Sequence, residues 1–505
     1  MDEAIQEIIQ EIKAASPLKR NEVGLVKTRI AKKYKLAKIP TNAEILEHAS
    51  SKDMQLLLPL LRKKPVRTIS GVAVVAVMAR PYPCPGECIY CPKGEDAPQS
   101  YTGKEPAALR AKRANYDPYL QVKDRLTQLQ SIGHTTDKAE LIVMGGTFTA
   151  QPLDYQKWFV KRCLQAMQKR SSKNVGITFE TRPDFAKERH ADEMLSLGVT
   201  RVELGVQTIR DSIYEKIKRG HSVRDVTDAT QILKDAGLKV GYHMMPGLFS
   251  NFNEDLDIFE TLFENERFRP DFLKIYPALV IKGTKLYDMW VKEEFQPYSD
   301  EEAIELLVEI KRRMPKWVRT MRVQRDIPSY LIEAGVKKSD LGELVYQKLK
   351  ERNLRCRCMR CRDVGHRLYR DEIEVDERST EMLDEEYAAS DGIEYFLSVE
   401  DAKNDALIAY LRLRFPSQKA HRKEIDEKTA LVRELRVLGQ AVPIGARIPE
   451  AEQHRGFGSM LLKKAEELSA ERGKEKILVT SAIGTRDYYR RFGYRRVGPY
   501  MGKKL

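Results

Sequence analysis

Hydrophobic and polar residues follow three different patterns along the chain, and each pattern covers its own region. Isoleucines recur at helical spacing over residues 5–12, which predicts an amphipathic helix with one buried face. From about residue 71 to 328, short apolar runs are separated by segments with helical periodicity. After about residue 371, the apolar and polar residues alternate, which predicts antiparallel strands. The patterns therefore predict a helical first segment, a central α/β region and a mixed α/β last region.

The central region contains six apolar runs that predict strands. They cover residues 72–78, 141–144, 175–180, 201–206, 238–243 and 272–276. Six strand-then-helix units predict a parallel sheet, either curved into a partial (βα)6 barrel or wound as an open sheet. In such barrels the active site lies at the carboxyl ends of the strands. Residues with chemical functions follow five of these strands: Cys84, Cys88 and Cys91; Gly145, Gly146 and Thr147; Glu180, Thr181 and Arg182; Gln207; and His243 to Pro246.

Composition narrows the class of protein. The chain has 505 residues, a net charge of +14 and seven cysteines. It shows neither a signal peptide nor an apolar run of membrane-spanning length, so we expect a cytoplasmic location and no membrane association. Six cysteines form two tight groups, which indicates metal or cluster ligation rather than disulfides. The seventh, Cys163, is expected to be a buried thiol in a helix.

The first segment carries most of the clustered positive charge. A solvated helical face would explain such a stretch, but acidic residues are absent from 27 to 38, so the charge is not balanced along the sequence. We therefore favour a helical domain that binds nucleic acid. Its basic residues are Lys19, Arg20, Lys27, Arg29, Lys32, Lys33, Lys35 and Lys38, followed by Arg62, Lys63, Lys64 and Arg67.

The first cysteine group has the spacing C-x3-C-x2-C, with Cys84, Cys88 and Cys91 on a loop after the first strand. Three thiolates suit three irons of a [4Fe–4S] cluster and leave the fourth iron open. An open iron can chelate S-adenosylmethionine (SAM), which is the radical SAM chemistry that this spacing resembles. Gly145, Gly146 and Thr147 correspond to the loop that contacts the amino group of SAM in those proteins. The alternatives are a zinc site or buried structural thiols, but no fourth Cys or His lies nearby in sequence.

The second cysteine group lies in a connector between the central and last regions. Cys356, Cys358 and Cys361 are followed by His366, and three thiolates with one imidazole form a tetrahedral zinc set. A second iron–sulfur cluster or unliganded thiols are the alternatives.

The last region contains a loop suited to a pyrophosphate. Gln453 to Gly458 supplies two glycines directly before an amphipathic helix, 459–472, and the free N–H groups of a helix N-terminus bind phosphate. A strand at 477–481 and an aromatic-rich helix at 487–494 follow. This order resembles the GNAT acyltransferases, in which acetyl-CoA binds at that loop.

A radical SAM barrel joined to a GNAT domain is similar to the catalytic subunit of Elongator, the tRNA wobble-uridine acetyltransferase family. The compact C-x3-C-x2-C and the intact second group resemble the archaeal or bacterial type. The resemblance covers nearly the whole chain and depends on the stretches 100–103, 113–118, 143–148, 180–184, 243–246, 274–277, 322–328 and 484–489.

The resemblance implies roles for individual residues. Cys84, Cys88 and Cys91 would ligate the cluster, and Tyr489 would lie near the thioester of acetyl-CoA. Lys138 would be a further acetyl-CoA contact, close to the barrel. The family usually has Asn where Asp487 stands here, so this chain departs from the family pattern at that residue. The remaining implied acetyl-CoA contacts are Glu434, Leu435, Arg436 and Val437 for the pantetheine arm, and Phe457, Gly458 and Ser459 for the pyrophosphate.

The implied reaction forms 5-carboxymethyluridine at the wobble position of tRNA. A 5′-deoxyadenosyl radical would take hydrogen from the acetyl methyl group, the carbon radical would add to C5 of uridine, and hydrolysis would release the acid from the thioester. The partner is the anticodon stem-loop of tRNA. The resemblance suggests action without other Elongator subunits and leaves a homodimer open.

Two other functions compete with this one. The first is a lysine acetyltransferase acting on histones or other proteins, with the barrel as a scaffold, which a strongly basic chain is poorly suited to be. The second is a non-catalytic tRNA-binding module. The predicted domains are a basic helical tRNA-binding segment (1–70), the radical SAM barrel (71–328), a connector with the zinc-type cysteines (329–370) and the GNAT domain (371–505).

Overall fold

The computed structural model describes residues 1–15, 21–50, 52–63, 65–439 and 456–505. The first segment forms four helices, α1 (Asp2–Ala14), α2 (Glu22–Lys33), α3 (Asn42–Glu47) and α4 (Met54–Leu61). The isoleucine face of α1 is buried against the other three, as its spacing predicts. Among the helices in the described ranges, we find none with the length and apolar character needed to span a bilayer.

The basic stretch of the first segment is partly balanced in space. Lys33 Nζ lies 2.6 Å from a carboxylate oxygen of Glu7, and Lys38 Nζ lies 2.7 Å from Glu44. Arg29 also pairs with an acidic residue of α1. These acidic partners come from α1 and α3, so the imbalance counted along the sequence overstates the free positive charge. Three of the basic residues, Lys19, Arg20 and Lys64, lie outside the described residues.

The central region is a curled half-barrel with seven parallel strands in the order β1-β2-β3-β4-β5-β6-β8. This confirms the predicted fold class and corrects the number of strands from six to seven. The missed strand, β8, is short, and its buried Arg319 is paired with Asp363. The strands are β1 (Ala73–Met78), β2 (Lys138–Met144), β3 (Lys173–Thr181), β4 (Arg201–Gln207), β5 (Lys239–Met244), β6 (Phe272–Ile275), β7 (Val280–Ile281), β8 (Arg319–Arg322) and β9 (Ile332–Ala334), of which β7 and β9 form a separate pair.

Helices cover the outer face of the half-barrel. Tyr242 in β5 points outward and its hydroxyl contacts Thr230 in a covering helix; because side chains alternate along a strand, His243 points inward. Side chains of Asp117, Ser222, Asn251 and Ser299 cap four of the helices at their first turns. The helices are α5 (Pro106–Arg113), α6 (Pro118–Ser131), α7 (Leu153–Lys169), α8 (Glu188–Ser196), α9 (Asp211–Lys216), α10 (Val223–Asp235), α11 (Phe252–Glu264), α12 (Lys285–Val291) and α13 (Asp300–Arg312).

The connector and the last region complete the fold. The connector contains α14 (Leu341–Glu351), α15 (Met359–Arg362) and α16 (Val364–Asp371). The last region is a mixed sheet in the order β10-β11-β12-β13-β14-β16-β15, in which only β13 and β14 are parallel. Its elements are β10 (Thr380–Ala389), β11 (Gly392–Asp401), β12 (Ala406–Phe415), β13 (Thr429–Val437), α17 (Phe457–Glu471), β14 (Lys476–Val479), α18 (Arg486–Arg490), β15 (Arg495–Val497) and β16 (Tyr500–Lys504).

Buried ion pairs join the last region to the half-barrel. Arg433 in β13 lies 2.7 Å from Asp271, directly before β6, and 2.7 Å from Glu394 in β11. Arg414 in β12 lies 2.6 Å from Asp235 at the end of α10. All five side chains are fully buried. Asp235 precedes β5 and Asp271 precedes β6. The last sheet therefore covers the end of the half-barrel at which the strands begin.

Candidate active sites

The first cysteine group lies on the loop after β1, at the carboxyl end of the half-barrel. Cys84, Cys88 and Cys91 are each half-buried. The guanidinium of Arg219 places Nη1 3.2 Å from the sulfur of Cys88, and the Thr147 hydroxyl lies 3.6 Å from the sulfur of Cys84. Thr147, which follows β2, and Arg219, which follows α9, thus contact two of the three sulfurs of this loop.

The glycine pair after β2 passes close to the loop that follows β1. Gly145 has φ of +135°, and a Cβ there would lie 3.1 Å from the side chain of Ala79. Gly146 has φ of +71°. Both conformations are costly for residues with a side chain, so this turn needs glycine at both positions. The two glycines let the backbone before Thr147 approach the loop that carries Cys84.

The donor set of this loop fits an iron–sulfur cluster. In a cubane cluster each cysteine thiolate binds a different iron. The three cysteine sulfurs are therefore further apart than three cysteine sulfurs that bind one metal ion. In the described residues, Cys84, Cys88 and Cys91 do not form a group within 4.8 Å of one another. Burial and the neighbouring Cys88 raise the pKa of the Cys91 thiol, so metal binding would have to release its proton.

A charged group fills the interior of the half-barrel near the same end. Lys274 on β6 donates to Glu180 at 2.7 Å and also pairs with Glu203. The Nε2 atom of His243 lies 2.9 Å from Glu203. Burial alone would raise the pKa of Glu203, but Lys274, His243 and Arg201 hold it well below its usual value. The ammonium of Lys274 occupies the position between the carboxylates that a metal ion would need.

This interior group is linked to the cysteine loop by contacts. The Tyr101 hydroxyl donates to Glu180 at 3.3 Å. Arg325 donates to the carbonyl of Ser100, the residue before Tyr101, at 2.6 Å. Both Ser100 and Arg325 lie close enough to Cys91 to lower the pKa of its thiol, which opposes the effect of burial. The cysteine loop and the interior group therefore belong to one site.

The second cysteine group is tighter than the first. The sulfurs of Cys356, Cys358 and Cys361 all lie within 4.8 Å of one another, and the Thr320 hydroxyl donates to Cys358 at 3.4 Å. The ammonium of Lys311 is buried beside them; burial alone would lower its pKa, but the three thiols raise it. Three sulfurs this close can share one metal ion, as in a zinc site.

His366 does not join this tight group. Its side chain is buried on α16, where burial lowers its pKa to about 3, and its Nδ1 atom has no hydrogen-bond partner among the described residues. The three thiols therefore come together without the predicted imidazole. The metal and its fourth ligand stay predictions.

The last sheet opens between β13 and β14. The two strands pair only from Thr429 to Val432 on β13, and a bulge follows, since Arg412 on β12 faces Glu434 and Leu413 faces Val432. Beyond the bulge, residues 434–437 have no partner on the β14 side among the described residues. The backbone N–H and C=O groups that point to this side can pair with an extended ligand, as an added strand would, while the other side pairs with β12.

The side chains of this strand segment alternate between two environments. Glu434 accepts from Arg412 at 3.1 Å, and Arg436 donates to the carbonyl of Ser70 at 3.4 Å, so both face the barrel. Leu435 and Val437 pack on the core of the last sheet. The cations around Glu434 overcome the effect of burial and lower its pKa to about 2, so its carboxylate stays ionised and is not a proton acceptor near neutral pH.

Helix α17 begins beside the open strand segment. Phe457, Gly458 and Ser459 form its first turn, and the Ser459 hydroxyl donates to the carbonyl of Gly456 at 2.7 Å. A Cβ on Gly458 would lie 2.7 Å from the Tyr488 hydroxyl. The first half of the predicted pyrophosphate loop, Gln453 to Arg455, lies outside the described residues.

Two further predicted residues are Tyr489, which lies in the last region near this groove, and Lys138, which lies at the edge of the barrel. Tyr489 is buried in α18, and its ring lies 5.3 Å from that of Tyr488, edge to face; burial raises its pKa. Lys138 is the first residue of β2, and burial lowers its pKa. In the next strand, Asn174 contacts Gly484 of the last region. Lys138 thus lies at the barrel end that the last sheet covers, whereas the cysteine loop lies at the other end.

Sequence reasoning missed several residues of these sites. Arg219 beside Cys88, Lys274 between two carboxylates and Tyr488 above Gly458 were not predicted. Lys274 and Tyr488 lay inside stretches that carry the family resemblance, which was their only signal. Arg219 had no local signal, because its partner is 131 residues away in sequence.

Models of known protein families match four consecutive parts of the chain. They are the ELP3 N-terminal domain over residues 1–69, the Radical SAM superfamily over 82–262, the Radical_SAM C-terminal domain over 270–351 and the Acetyltransferase (GNAT) family over 362–494.

Individual proteins are similar over nearly the full length. A tRNA uridine(34) acetyltransferase of Methanocaldococcus infernus is 52% identical over 99% of this chain and 98% of its own. Elongator complex protein 3 of Homo sapiens is 42% identical over 99% of this chain and 96% of its own. A solved structure of archaeal Methanocaldococcus infernus Elp3 with an N-terminus deletion (1-46) has a TM-score of 0.78 at 51% identity and covers 87% of this chain and 100% of that chain.

Proposed function

The chain belongs to the family that contains tRNA uridine(34) acetyltransferases and Elongator complex protein 3, and from this premise we propose how it acts on tRNA. It is an enzyme that uses acetyl-CoA and radical SAM chemistry to modify the wobble uridine of tRNA to 5-carboxymethyluridine. Its cofactors are a [4Fe–4S] cluster and SAM. The assignments of individual residues below are our proposals.

The cysteine loop at the carboxyl end of the half-barrel would hold the cluster. When bound, the cluster supplies the electron that cleaves SAM to a 5′-deoxyadenosyl radical. Cys84, Cys88 and Cys91 are the ligands, and the cation of Arg219, 3.2 Å from the Cys88 sulfur, offsets part of their negative charge. The open turn at Gly145 and Gly146 lets the backbone approach the amino group of SAM.

The groove of the last sheet would hold acetyl-CoA. The free backbone of residues 434–437 pairs with the pantetheine arm, and the first turn of α17 receives the pyrophosphate through its unpaired N–H groups and helix dipole. Tyr489 packs against Tyr488, which lies beside Gly458 at the start of α17. Since its pKa is raised by burial, its neutral hydroxyl orients water or the thioester and does not act as a base. Lys138 contacts the ligand from the barrel side.

The observation that carries the proposal is the combination of two built sites on one chain. The carboxyl end of the half-barrel presents three half-buried thiols, with Arg219 beside Cys88. The last sheet presents an open strand edge next to a helix N-terminus. A protein acetyltransferase would need only the second site, and a binding module would need neither.

The tRNA must bring the uracil of its wobble uridine to the cysteine loop. In a single-stranded loop this nucleobase can unstack from its neighbours at low energetic cost. The first segment and the arginines around Arg325 would bind tRNA phosphates.

Three further predictions concern partners and location: independence from other Elongator subunits, a homodimer and a cytoplasmic location. Stable partners that co-purify with the chain would overturn the first of these.

The test is nucleoside mass spectrometry of tRNA incubated anaerobically with reconstituted protein, SAM, acetyl-CoA and a reductant. We expect a carboxymethyl increment on uridine with the wild type and none with Cys88→Ala. Cys163→Ala serves as the matched control, because this buried thiol belongs to neither cysteine group. Acetylation of a lysine peptide without modification of tRNA would favour the protein acetyltransferase instead.

A further inference from the structure

The histidine on β5 and the glutamate on β4 form a pair inside the half-barrel. The Nε2 atom of His243 lies 2.9 Å from Glu203. A carboxylate on this nitrogen favours the tautomer that carries its proton there. The Nδ1 atom then has a free lone pair, and it has no hydrogen-bond partner among the described residues.

The exposure of this pair is uneven. The side chain of Glu203 is 1% exposed, whereas that of His243 is 16% exposed toward the interior. Arg201 holds the other oxygen of Glu203 at 3.2 Å. A buried carboxylate that orients a more accessible imidazole is the arrangement of a general base with its positioning group.

The charges around the imidazole come from three other strands. Lys274 faces it from β6, Glu180 from β3 and Glu203 from β4. The Tyr276 ring, which follows β6, lies 5.6 Å from the imidazole, edge to face. The ammonium of Lys274 neutralises part of the carboxylate charge of Glu180 and Glu203 beside the imidazole.

The proposed reaction requires a proton acceptor at this end of the barrel. When an acetyl-derived carbon radical adds to C5 of uridine, the new C–C bond forms, the C5=C6 π bond breaks and the unpaired electron remains on C6. Restoring the double bond requires loss of the C5 proton and of one electron. Proton loss leaves a radical anion, which is a strong reductant and gives its electron to a one-electron acceptor of the iron–sulfur class.

We propose that His243, oriented by Glu203, is the general base that removes the C5 proton of the wobble uridine after C–C bond formation. Nδ1 of His243 accepts the proton, and Glu203 stabilises the imidazolium that results. Glu203 is a positioning residue. This assignment rests on the proposed function, since it needs a uridine that reacts at C5.

The activity test separates radical formation from product formation. His243→Gln should lower carboxymethyluridine formation at least about 100-fold, as loss of a general base does, while 5′-deoxyadenosine formation stays within about threefold of wild type. In wild type, 5-deuterouridine in the tRNA should slow product formation. His190→Gln is the control, because that histidine lies on the outer helix α8 against Phe185.

A second readout needs no cluster. Hydrogen–deuterium exchange at the imidazole C2 position, followed by mass spectrometry of the apo protein, measures an exchange rate for each histidine. Glu203→Gln should change the exchange rate of His243 at least about twofold, because this rate responds to the group that Nε2 contacts. The exchange rate of His190 should not change.

The outcomes distinguish this inference from the proposed function. If His243→Gln still forms product at the wild-type rate, or if it also loses SAM cleavage, the general-base role is overturned. An unchanged exchange rate of His243 in Glu203→Gln would overturn the positioning role. If wild type cleaves SAM but never modifies uridine, the proposed function fails instead, and the exchange measurement still reports on the pair.

Discussion

Gly458 shows how one residue can fix a ligand site. A Cβ at this position would lie 2.7 Å from the Tyr488 hydroxyl but 3.7 Å from the nearest ring carbon of Tyr488. Any side chain at 458 therefore displaces the hydroxyl and disturbs the first turn of α17. The absence of a side chain here keeps that turn open at the mouth of the proposed acetyl-CoA groove.

We expect Gly458→Ala to weaken acetyl-CoA binding about tenfold, a loss of about 1.4 kcal/mol, because Tyr488 must move into the groove. Isothermal titration calorimetry of acetyl-CoA would measure this. Adding Tyr488→Phe removes the colliding oxygen and should restore most of the affinity. A double variant as weak as Gly458→Ala alone would show that the collision is not the cause.

Glu434 makes a residue-scale prediction about pH. Its pKa falls from 4.5 to about 2 in the folded protein, so ionised Glu434 contributes on the order of 3 kcal/mol to stability. This contribution is fully present above pH 4.5 and is lost as the pH falls toward 2. The free energy of unfolding of Glu434→Gln, measured with denaturant, should lie below that of wild type at pH 7, and the gap should narrow below pH 4.5.

Glu475→Gln provides the control for this pH dependence. Glu475 pairs with Lys428 at the surface, and both side chains are more than half exposed, so its removal should change stability little at any pH. A gap between wild type and Glu434→Gln that stays constant from pH 7 to 3 would contradict the proposed ionisation.

At the scale of elements, the stretch that leads into α15, the end of α13 and the start of β8 meet at the second cysteine group. Cys356, Cys358 and Cys361 come from one short stretch, Lys311 from α13 and Thr320 from β8. The group therefore ties the connector to the last barrel strand. A metal bound there would stabilise the junction between the barrel and the last region.

We expect purified wild-type protein to contain about one zinc per chain in addition to the cluster iron, because three close thiolates match a zinc site. Cys358→Ser should lose this zinc, while Cys163→Ser keeps it; inductively coupled plasma mass spectrometry gives both metals. Extra iron in place of zinc, lost in Cys358→Ser, would favour a second iron–sulfur cluster.

The elements also show what could be predicted from sequence. The cysteine loop, the glycine pair and the helix after the pyrophosphate loop were predicted because their signals lie within a few residues. The strand β8 was missed because it is only Arg319–Arg322 and its charged first residue reads as exposed until its partner Asp363 is known. The contact between His243 and Glu203 was missed because the two residues are 40 positions apart in sequence. They come together only when β4 and β5 pair.

At the scale of the whole molecule, buried charges hold the last sheet against the barrel. Arg433 lies between Asp271 and Glu394, and all three side chains are fully buried. The barrel partners of Arg414 and Arg433, Asp235 and Asp271, are 179 and 162 residues away in sequence. No local pattern could have distinguished these two residues from surface arginines.

Arg433→Met should destabilise the protein by about 3–5 kcal/mol, because it leaves two buried carboxylates without their shared cation. Denaturant unfolding monitored by tryptophan fluorescence would measure the loss. Lys419→Met is the matched control: its pair with Asp391 is exposed, so we expect a change below about 1 kcal/mol. Equal effects of the two substitutions would mean that burial of the pair is not decisive.

The barrel's amino-terminal end is completed by side chains that belong to another domain, and this limits protein engineering. A different acetyltransferase attached to this barrel would need arginines opposite Asp235 and Asp271. A barrel expressed alone would expose both carboxylates to water, where they would be ionised without a cation opposite them. Exchange of catalytic domains in this family must therefore begin with the charges of the interface, because a redesigned linker alone would leave those carboxylates without partners.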